Sequence, residues 1–259
     1  MQATFKFCRF LSFLLYINKL LCYYFCMRID KFFSEIGMFS RKESAENLKK
    51  GFITVNGVTV KKGDFKVDEN KDEICFKGER VIYKKYAYIL VNKPNGYVSA
   101  TEDARDKTVL DLLPDSMNKL NLFPCGRLDK DTVGLVILTN DGVSAHNALS
   151  PKHHVEKKYY FEVADPYSDD DILAIENGLQ LADGYTTKPC KIERVSENTG
   201  YITLTEGKYH EIKRLFGARK NKIVFLERIS FSKIQLGDLP RGEWRFLTDE
   251  EEKIFTGKI

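Results

Sequence analysis

A charged loop that leads directly into an apolar strand constrains the fold of this chain more than any other feature. Residues 126–134 read GRLDKDTVG, and residues 135–139 (LVILT) follow without a break. A glycine before the apolar run and Asn-Asp-Gly after it predict a buried strand that is closed by a turn. Charged groups at the mouth of a buried strand are costly unless they are paired. The residue types alone favour an Arg127–Asp129 ion pair on a solvated loop, although functional residues are also often found on loops that a rigid scaffold holds.

The composition is that of a globular protein and excludes a disordered one. Hydrophobic residues make up 43% of the 259 residues and charged residues 30%, so the chain can bury a real core in one or two domains. The net charge of +4 permits an acidic partner without requiring one. The six cysteines show neither the pattern of a disulfide framework nor the spacing of zinc ligands. We therefore expect a reduced, cytoplasmic protein.

The first 26 residues differ in composition from the rest of the chain. They contain basic residues, no acidic residue, and an apolar run over residues 10–17. Asn18-Lys19 interrupts this run and no small-residue cleavage site follows, so neither a signal peptide nor a membrane span is predicted. We expect residues 1–26 to lie outside the fold, because the start site was assigned too far upstream. A membrane anchor and an accessory tail are the alternatives.

Residues 27–84 predict two short helices followed by a hairpin. An apolar stripe over residues 29–36 predicts the first helix. Ser40 and Glu43 have the spacing of a capping box at the start of the second helix. Asn56-Gly57 between two apolar runs is a strong signal for a two-residue hairpin turn. Six basic residues lie close to these elements in the sequence: Arg41, Lys42, Lys49, Lys50, Lys61 and Lys62.

A second domain is predicted from residue 85, after a flexible joint near residues 78–85. Its first strand, Tyr86–Val91, is broken by a turn over Asn92–Gly96. Strands and short helices follow in a mixed order. Helices are predicted over residues 109–113, 143–149 and 212–216, after Ser168 and from Asp249, and strands over residues 160–163, 190–195 and 201–205.

Four stretches of the sequence resemble the motifs of pseudouridine synthases, in the branch that modifies ribosomal RNA. The loop and strand at residues 126–142 resemble the catalytic signature of that family. Lys93-Pro94-Asn95-Gly96 resembles its first motif, Glu156–Tyr159 resembles a further motif with a basic residue and a tyrosine, and Lys208–Arg214 (KYHEIKR) resembles its third. The resemblance extends from about Met27 to about Phe255.

This resemblance implies an α+β protein with two domains. Residues 27–84 resemble a small RNA-binding domain that is named after a small-subunit ribosomal protein, and a solvated basic face is the alternative interpretation. Contacts of its basic residues with phosphates would position the RNA rather than read its sequence. Residues 85–259 correspond to the catalytic domain, for which the resemblance implies a mixed, largely antiparallel sheet with helices packed around it.

The resemblance also implies the roles of individual site residues. Asp129 corresponds to the catalytic carboxylate, and Lys213 to a basic residue that pairs with it. Tyr159 would stack beside the target base, and Ile212 would form a wall of the base pocket. Arg127 would fill the gap in the RNA stack or hold a phosphate once the base is flipped out. We expect these residues to line one cleft, with Arg127 at its rim.

The chemistry of the reaction explains why such residues are needed. Pseudouridine differs from uridine in that the ribose is joined to C5 of uracil rather than to N1. Because the isomerisation involves no redox change and no group transfer from another molecule, we expect neither a cofactor nor a metal. A carboxylate can act by adding to the base or the ribose, or by taking the ribose C2′ proton. Burial disfavours the charged form of Asp129, and a cation such as Lys213 counters that effect.

Several functions remain compatible with the sequence. The stretch at residues 208–214 resembles the small-subunit branch most, whereas large-subunit relatives tend to carry Asn-Arg at Tyr209-His210; glutamine is commoner where this chain has Glu211. We therefore expect a monomeric enzyme that acts on small-subunit (16S) ribosomal RNA. The alternatives are a large-subunit enzyme, a non-catalytic RNA-binding ribosome-assembly factor, and a hydrolase that uses Asp129 and Asp131, which would face the same side of a strand.

Overall fold

The computed structural model describes residues 26–257. The expectation that residues 1–26 lie outside the fold therefore falls on residues that are not described, apart from Cys26. The chain divides into two compact units, the first comprising the residues up to Lys85 together with Asp115–Leu120, and the second comprising Tyr86–Pro114 and Asn121–Ile259. Each unit has a hydrophobic core of its own.

The N-terminal unit begins with the two predicted helices. Helix α1 spans Ile29–Glu35 and helix α2 spans Arg41–Lys49. Ile29, Phe32 and Phe33 on α1 are completely buried. The apolar stripe that predicted this helix is therefore the face that packs into the core of the unit.

The local signals read from this part of the sequence form as predicted. The Ser40 hydroxyl accepts a hydrogen bond from the Glu43 N–H at 3.2 Å, and the Ser40 N–H donates to the Glu43 carboxylate at 2.7 Å, which completes a capping box. Asn56 and Gly57 have φ angles of 51° and 77°. Two successive residues in the left-handed region are typical of the type I′ hairpin turn.

Six short strands complete the N-terminal unit. They are β1 (Met27–Arg28), β2 (Ile53–Val55), β3 (Val58–Thr59), β4 (Lys66–Val67), β5 (Ile74–Phe76) and β6 (Glu79–Arg80). The order β3-β2-β5-β6 forms one sheet, and β1 pairs with β4. Val81 and Tyr83 pack against the core. The segment predicted as a flexible joint is therefore partly built into the unit.

The second unit is organised around one large sheet. Its strands are β7 (Tyr88–Lys93), β8 (Phe123–Cys125), β9 (Val133–Thr139), β10 (Lys157–Val163), β11 (Lys191–Arg194), β12 (Thr199–Leu204), β13 (Ile223–Phe231), β14 (Ile234–Gln235) and β15 (Trp244–Phe246). The main order is β11-β12-β10-β13-β9-β7-β15. Only the β9–β13 pair is parallel among the described pairs of strands. The sheet is thus mixed and largely antiparallel, as the resemblance implied.

Strand β13 is the one major element of this sheet that the sequence analysis did not predict. It is nine residues long and lies between β10 and β9. Its apolar pattern is interrupted by Glu227-Arg228, which conceals the strand in a search for apolar runs. Arg228 is nevertheless only 2% exposed, and its Nε donates to the Leu135 carbonyl at 2.7 Å.

The parallel pairing of β9 with β13 depends on the glycine near the start of β9. Gly134 lies opposite Arg228 and has a φ of +102°. A Cβ at this position would lie 2.3 Å from the Arg228 carbonyl oxygen. Only glycine permits this close approach of the two backbones, so the last residue of the charged loop has a structural role.

Four helices pack around the sheet. They are α3 (Gly142–Leu149), α4 (Asp169–Glu176), α5 (Glu211–Ala218) and α6 (Asp249–Thr256). The described residues also contain three 3-10 segments, Val109–Leu112, Asp115–Leu120 and Pro151–His153. The first of these was predicted as a short helix, and Thr108 caps it. Within residues 26–257, no helix is long and apolar enough to cross a lipid bilayer.

Candidate active site

A cleft lies where the charged loop before β9 meets the start of helix α5. It contains about 440 Å³ of empty space that is open to solvent, within the size range of small-molecule sites. All five site residues predicted from the sequence line it: Arg127, Asp129, Tyr159, Ile212 and Lys213. The other lining residues are Leu128, Thr132, Leu204, Gly207, Lys208, His210, Glu211 and Leu226. Residues far apart in sequence therefore meet in one place, as expected.

Asp129 points into this cleft and its side chain is 27% exposed. Its Oδ2 lies 3.1 Å from Lys213 Nζ, and its Oδ1 lies 3.5 Å from His210 Nε2. The carboxylate therefore pairs with α5 and the turn before it, and not with Arg127, as the residue types alone had favoured. Arg127 is exposed at the rim.

Lys213 bridges two carboxylates. Besides Asp129, its Nζ contacts Asp131 Oδ1 at 2.5 Å. Burial lowers the pKa of Lys213, but hydrogen bonds to Asp131 and Asp129 outweigh this effect and raise the pKa above 10.5. Burial likewise opposes ionisation of Asp131, yet the Lys213 ammonium holds the pKa of Asp131 below 3.8. Asp131 is 68% exposed and does not line the cleft. Of the two carboxylates, Asp129 is therefore the one that faces the cleft.

The backbone around Asp129 is held by two buried polar side chains. Lys93 is completely buried, and its Nζ donates to the carbonyls of Lys130 at 3.1 Å and Thr132 at 2.7 Å. On the other side, the Ser99 hydroxyl accepts from the Leu128 N–H at 3.0 Å and donates to the Leu128 carbonyl at 3.1 Å. The Asp129 carboxylate therefore lies on a loop whose position is fixed by buried hydrogen bonds on both sides.

The resemblance implies that the first motif supports the fold near the active site, and Lys93 is the residue of that motif that contacts the charged loop. It was placed in a turn, but β7 continues through Lys93. Burial lowers the pKa of Lys93 to about 8, while the nearby carboxylates of Asp131 and Asp129 oppose that decrease. A lysine that directly follows an apolar strand and precedes proline was the available signal. The first motif thus acts by holding the loop that carries Asp129.

One part of the cleft wall is apolar. Tyr159 on β10 is 8% exposed and Ile212 on α5 is 5% exposed. Leu204 and Leu226, from β12 and β13, complete this surface. Phe161, two residues beyond Tyr159 on the same face of β10, packs against α5. A flat ring and aliphatic side chains suit a planar base, because stacking and burial do not require hydrogen bonds.

The turn before α5 brings a second ring system to the cleft. His210 has a φ of 49°, which is uncommon for a residue other than glycine. The Tyr209 ring stacks on the His210 ring with centroids 3.8 Å apart, and Tyr209 is 73% exposed. This turn places His210 beside Asp129 and leaves an aromatic face open to solvent, and the sequence analysis identified neither feature.

The polar residues of the cleft do not form a metal centre. Within the described part of the chain, no group of three or more His, Cys, Asp or Glu side chains could hold a metal ion. The cleft instead presents the Asp129 carboxylate, the Lys213 ammonium paired with it, and a group of apolar side chains. This set of groups can hold a planar base beside a carboxylate.

Comparison with family models identifies both units. The model for RNA pseudouridylate synthase matches residues 87–218, and the model for the S4 domain matches residues 27–74. The first match contains the charged loop, Tyr159 and helix α5. The second contains both helices and the hairpin of the N-terminal unit.

Individual proteins resemble the chain over most of its length. An uncharacterized RNA pseudouridine synthase of Bacillus subtilis (strain 168) is 43% identical over 230 residues, which cover 87% of this chain and 96% of that protein. The ribosomal small subunit pseudouridine synthase A of Vibrio cholerae serotype O1 is 39% identical over 227 residues, covering 87% and 97%. A crystal structure of a pseudouridylate synthase, 34% identical, matches with a TM-score of 0.63 over 88% of this chain and 99% of that one. The chain therefore belongs to the RNA pseudouridylate synthase family.

Proposed function

We propose that this protein converts a specific uridine of small-subunit ribosomal RNA to pseudouridine, with Asp129 as the catalytic carboxylate. The observation that carries this proposal is the pairing of Asp129 with Lys213 inside a cleft that also presents the apolar side chains of Tyr159, Ile212, Leu204 and Leu226. An ionised carboxylate beside a surface for a planar base is what the reaction needs. The proposal for the RNA substrate rests on family membership and on the names of relatives.

The reaction rearranges one nucleotide without gain or loss of atoms. The bond between C1′ and N1 breaks, a bond between C1′ and C5 forms, the C5 proton leaves, and N1 acquires a proton. The detached base must turn without escaping, and the apolar surface of Tyr159, Ile212, Leu204 and Leu226 would retain it. Asp129 would act on the base or ribose as a nucleophile, or take the ribose C2′ proton as a base.

The other residues of the cleft support this step. Lys213 keeps the Asp129 carboxylate paired until the substrate arrives. Tyr159 stacks on the uracil, and Ile212 closes the pocket on the opposite side. Arg127 at the rim contacts a phosphate or fills the space that the flipped nucleotide leaves. The exposed ring of Tyr209 offers a neighbouring base a surface for stacking.

Residues 27–84 are proposed to bind RNA, and residues 85–259 to carry out catalysis. Arg41 and Lys42 at the start of α2, and Lys49 and Lys50 at its end, are all exposed. Exposed cations on a compact module can contact phosphates and so position the RNA. We further propose that the protein acts as a monomer in the cytoplasm, where ribosomal RNA is assembled into ribosomal subunits.

The small subunit is favoured because relatives that match over nearly their whole length carry that name. They include the Vibrio cholerae protein and the ribosomal small subunit pseudouridine synthase A of Escherichia coli (strain K12), which is 36% identical over 228 residues. The deciding experiment maps pseudouridine in both ribosomal RNAs from cells with and without this gene. Loss of one small-subunit pseudouridine is expected, restored by the parent protein and not by Asp129→Asn. Loss in the large-subunit RNA would reassign the substrate, and no loss in either RNA would refute the proposal.

A further inference from the structure

Two buried glutamates lie side by side beneath the turn that carries His210. Glu206 is 8% exposed and Glu211 is 4% exposed, and their carboxyl groups contact each other. Glu206 precedes the turn at the end of β12, and Glu211 is the first residue of α5. The segment between them contributes Gly207, Lys208 and His210 to the lining of the cleft.

The hydrogen bonds around this pair are unequal. Both oxygens of Glu206 are satisfied, because Oε2 accepts from the Tyr185 hydroxyl at 2.6 Å and Oε1 accepts from the Lys188 N–H at 2.7 Å. Glu211 Oε2 accepts from the Lys208 N–H at 2.7 Å, whereas Glu211 Oε1 is buried and has no donor. A buried oxygen without a donor, next to another carboxylate, is costly unless it carries a proton.

We propose that Glu211 is a protonated positioning residue, whose Oε1–H donates to Glu206 and thereby closes the turn that holds Lys208 and His210 at the cleft. In this arrangement each oxygen of the pair has a partner. Glu206 is the ionised member, since it already accepts two hydrogen bonds. Glu211 does not touch the reacting atoms; it acts through the backbone of the turn and through the first turn of α5, on which Lys213 lies.

The surrounding charges agree with this assignment. Burial opposes ionisation of Glu206, but its hydrogen bonds from Lys188 and Tyr185 hold the pKa below 4.5. Burial and the contact with Glu206 together raise the pKa of Glu211 to about 7, against the opposing effects of the Lys208 N–H and the Lys208 charge. The other titratable groups that face the pair are Tyr185, Cys190 and Lys157. Burial raises the pKa of the Cys190 thiol to about 12, so this thiol does not titrate near neutral pH.

A shared proton makes both stability and activity depend on pH. The folded chain binds the Glu211 proton more tightly than the unfolded chain, so the stabilisation is complete below pH 4.5 and is lost as the pH rises through about 7. If the closed turn is also required for catalysis, activity falls over the same range. The predicted pH dependence of activity rests on the proposed function, whereas the predicted pH dependence of stability does not.

Glu211→Gln keeps the size and the hydrogen bonds of the protonated Glu211 side chain but cannot lose a proton. Its amide N–H donates to Glu206 and its carbonyl accepts from Lys208, but it has no proton to lose. The Tm of the parent is expected to fall from pH 4.5 to above 7, and the Tm of Glu211→Gln to fall clearly less. Glu197→Gln changes an exposed carboxylate of the same unit. Its Tm should fall with pH as steeply as the Tm of the parent. If the Tm of Glu211→Gln fell with pH as steeply as the Tm of the parent, the proposal would be overturned, whether or not the protein modifies ribosomal RNA.

The pH profile of kcat/KM tests the positioning role. The ratio of Glu211→Gln to parental kcat/KM should rise with pH, approaching about tenfold per pH unit once the parental proton is lost. A ratio that does not change with pH would show that the pair has no influence on the site. This result would leave the proposed catalytic function intact.

An infrared measurement on the parent protein covers the case in which the glutamine variant fails to fold. At a pH between 4.5 and about 7, ordinary carboxyl groups are ionised. The infrared band of the protonated Glu211 carboxyl group should then remain. The band is expected to disappear at higher pH. It should also be absent from Glu206→Gln, because the new amide can donate to an ionised Glu211. A parent protein without this band would refute the shared proton.

Discussion

The Lys213 ammonium lies 3.1 Å from the Asp129 carboxylate, although four strands, β9 to β12, separate the two residues in the order of the chain. Lys213→Met keeps the length of the side chain but removes this charge, and the Asp129 and Asp131 carboxylates then lose their shared partner. We expect no detectable pseudouridine from this variant. Lys213→Arg retains the charge and serves as the comparison, with partial activity expected because a guanidinium does not reproduce an ammonium contact. Parental rates from Lys213→Met, measured by mass-spectrometric mapping, would contradict this role.

Asp129→Asn tests catalysis separately from binding. The amide preserves size and much of the hydrogen bonding but removes the negative charge and the nucleophile. We expect no product, while the affinity for the same RNA fragment stays within about tenfold, or about 1.4 kcal/mol, of the parent. Affinity can even rise, because a carboxylate repels RNA phosphates.

Asp131→Asn is the matched control for this variant, because it removes an equal charge from the same loop. Asp131 is more exposed than Asp129 and shares Lys213 with it. A much smaller loss of activity is therefore expected. Equal losses from the two variants would favour a mechanism that uses both carboxylates, and normal modification by Asp129→Asn would return the chain to the interpretation as an RNA-binding factor.

Lys93→Met should destabilise the protein as well as reduce its activity. The substitution leaves the buried carbonyls of Lys130 and Thr132 without a donor, at a cost on the order of 3 kcal/mol. Denaturant unfolding followed by circular dichroism measures the change. Lys253→Met, at an exposed position of α6, should change stability by less than about 0.5 kcal/mol. Equal stability of the two variants would show that Lys93 does not hold the loop.

The basic residues at the end of α2 should contribute to the salt dependence of RNA binding. Replacing Lys49 and Lys50 with glutamine should lower affinity for RNA regardless of its sequence. The slope of log K against log salt should decrease by about one for each phosphate that the protein no longer neutralises. Lys253→Gln removes a charge from the other unit and should leave the slope less affected. A parental slope in the double variant would show that these lysines do not bind RNA.

The sequence by itself determined the local structure and pointed to the candidate catalytic carboxylate. Capping at Ser40, the hairpin turn at Asn56-Gly57 and the apolar stripe of α1 depend on residues a few positions apart, and all three formed as predicted. The motif that contains Asp129 was recognisable for the same reason, because its residues are contiguous. The mixed, largely antiparallel sheet followed from the resemblance to the family and not from the apolar pattern.

The tertiary structure decided which of these groups meet. The pairing of Asp129 with Lys213, which the resemblance implied and the residue types alone did not, joins two different elements. The burial of Lys93 beneath the charged loop and the contact between Glu206 and Glu211 also join residues from different elements. Strand β13 escaped prediction because it contains the buried Arg228, whose Nε donates a hydrogen bond to the Leu135 carbonyl on a neighbouring strand. The cost of burying a polar group depends on the partners that the fold supplies. These partners come from distant parts of the chain, so a local stretch of sequence does not reveal them.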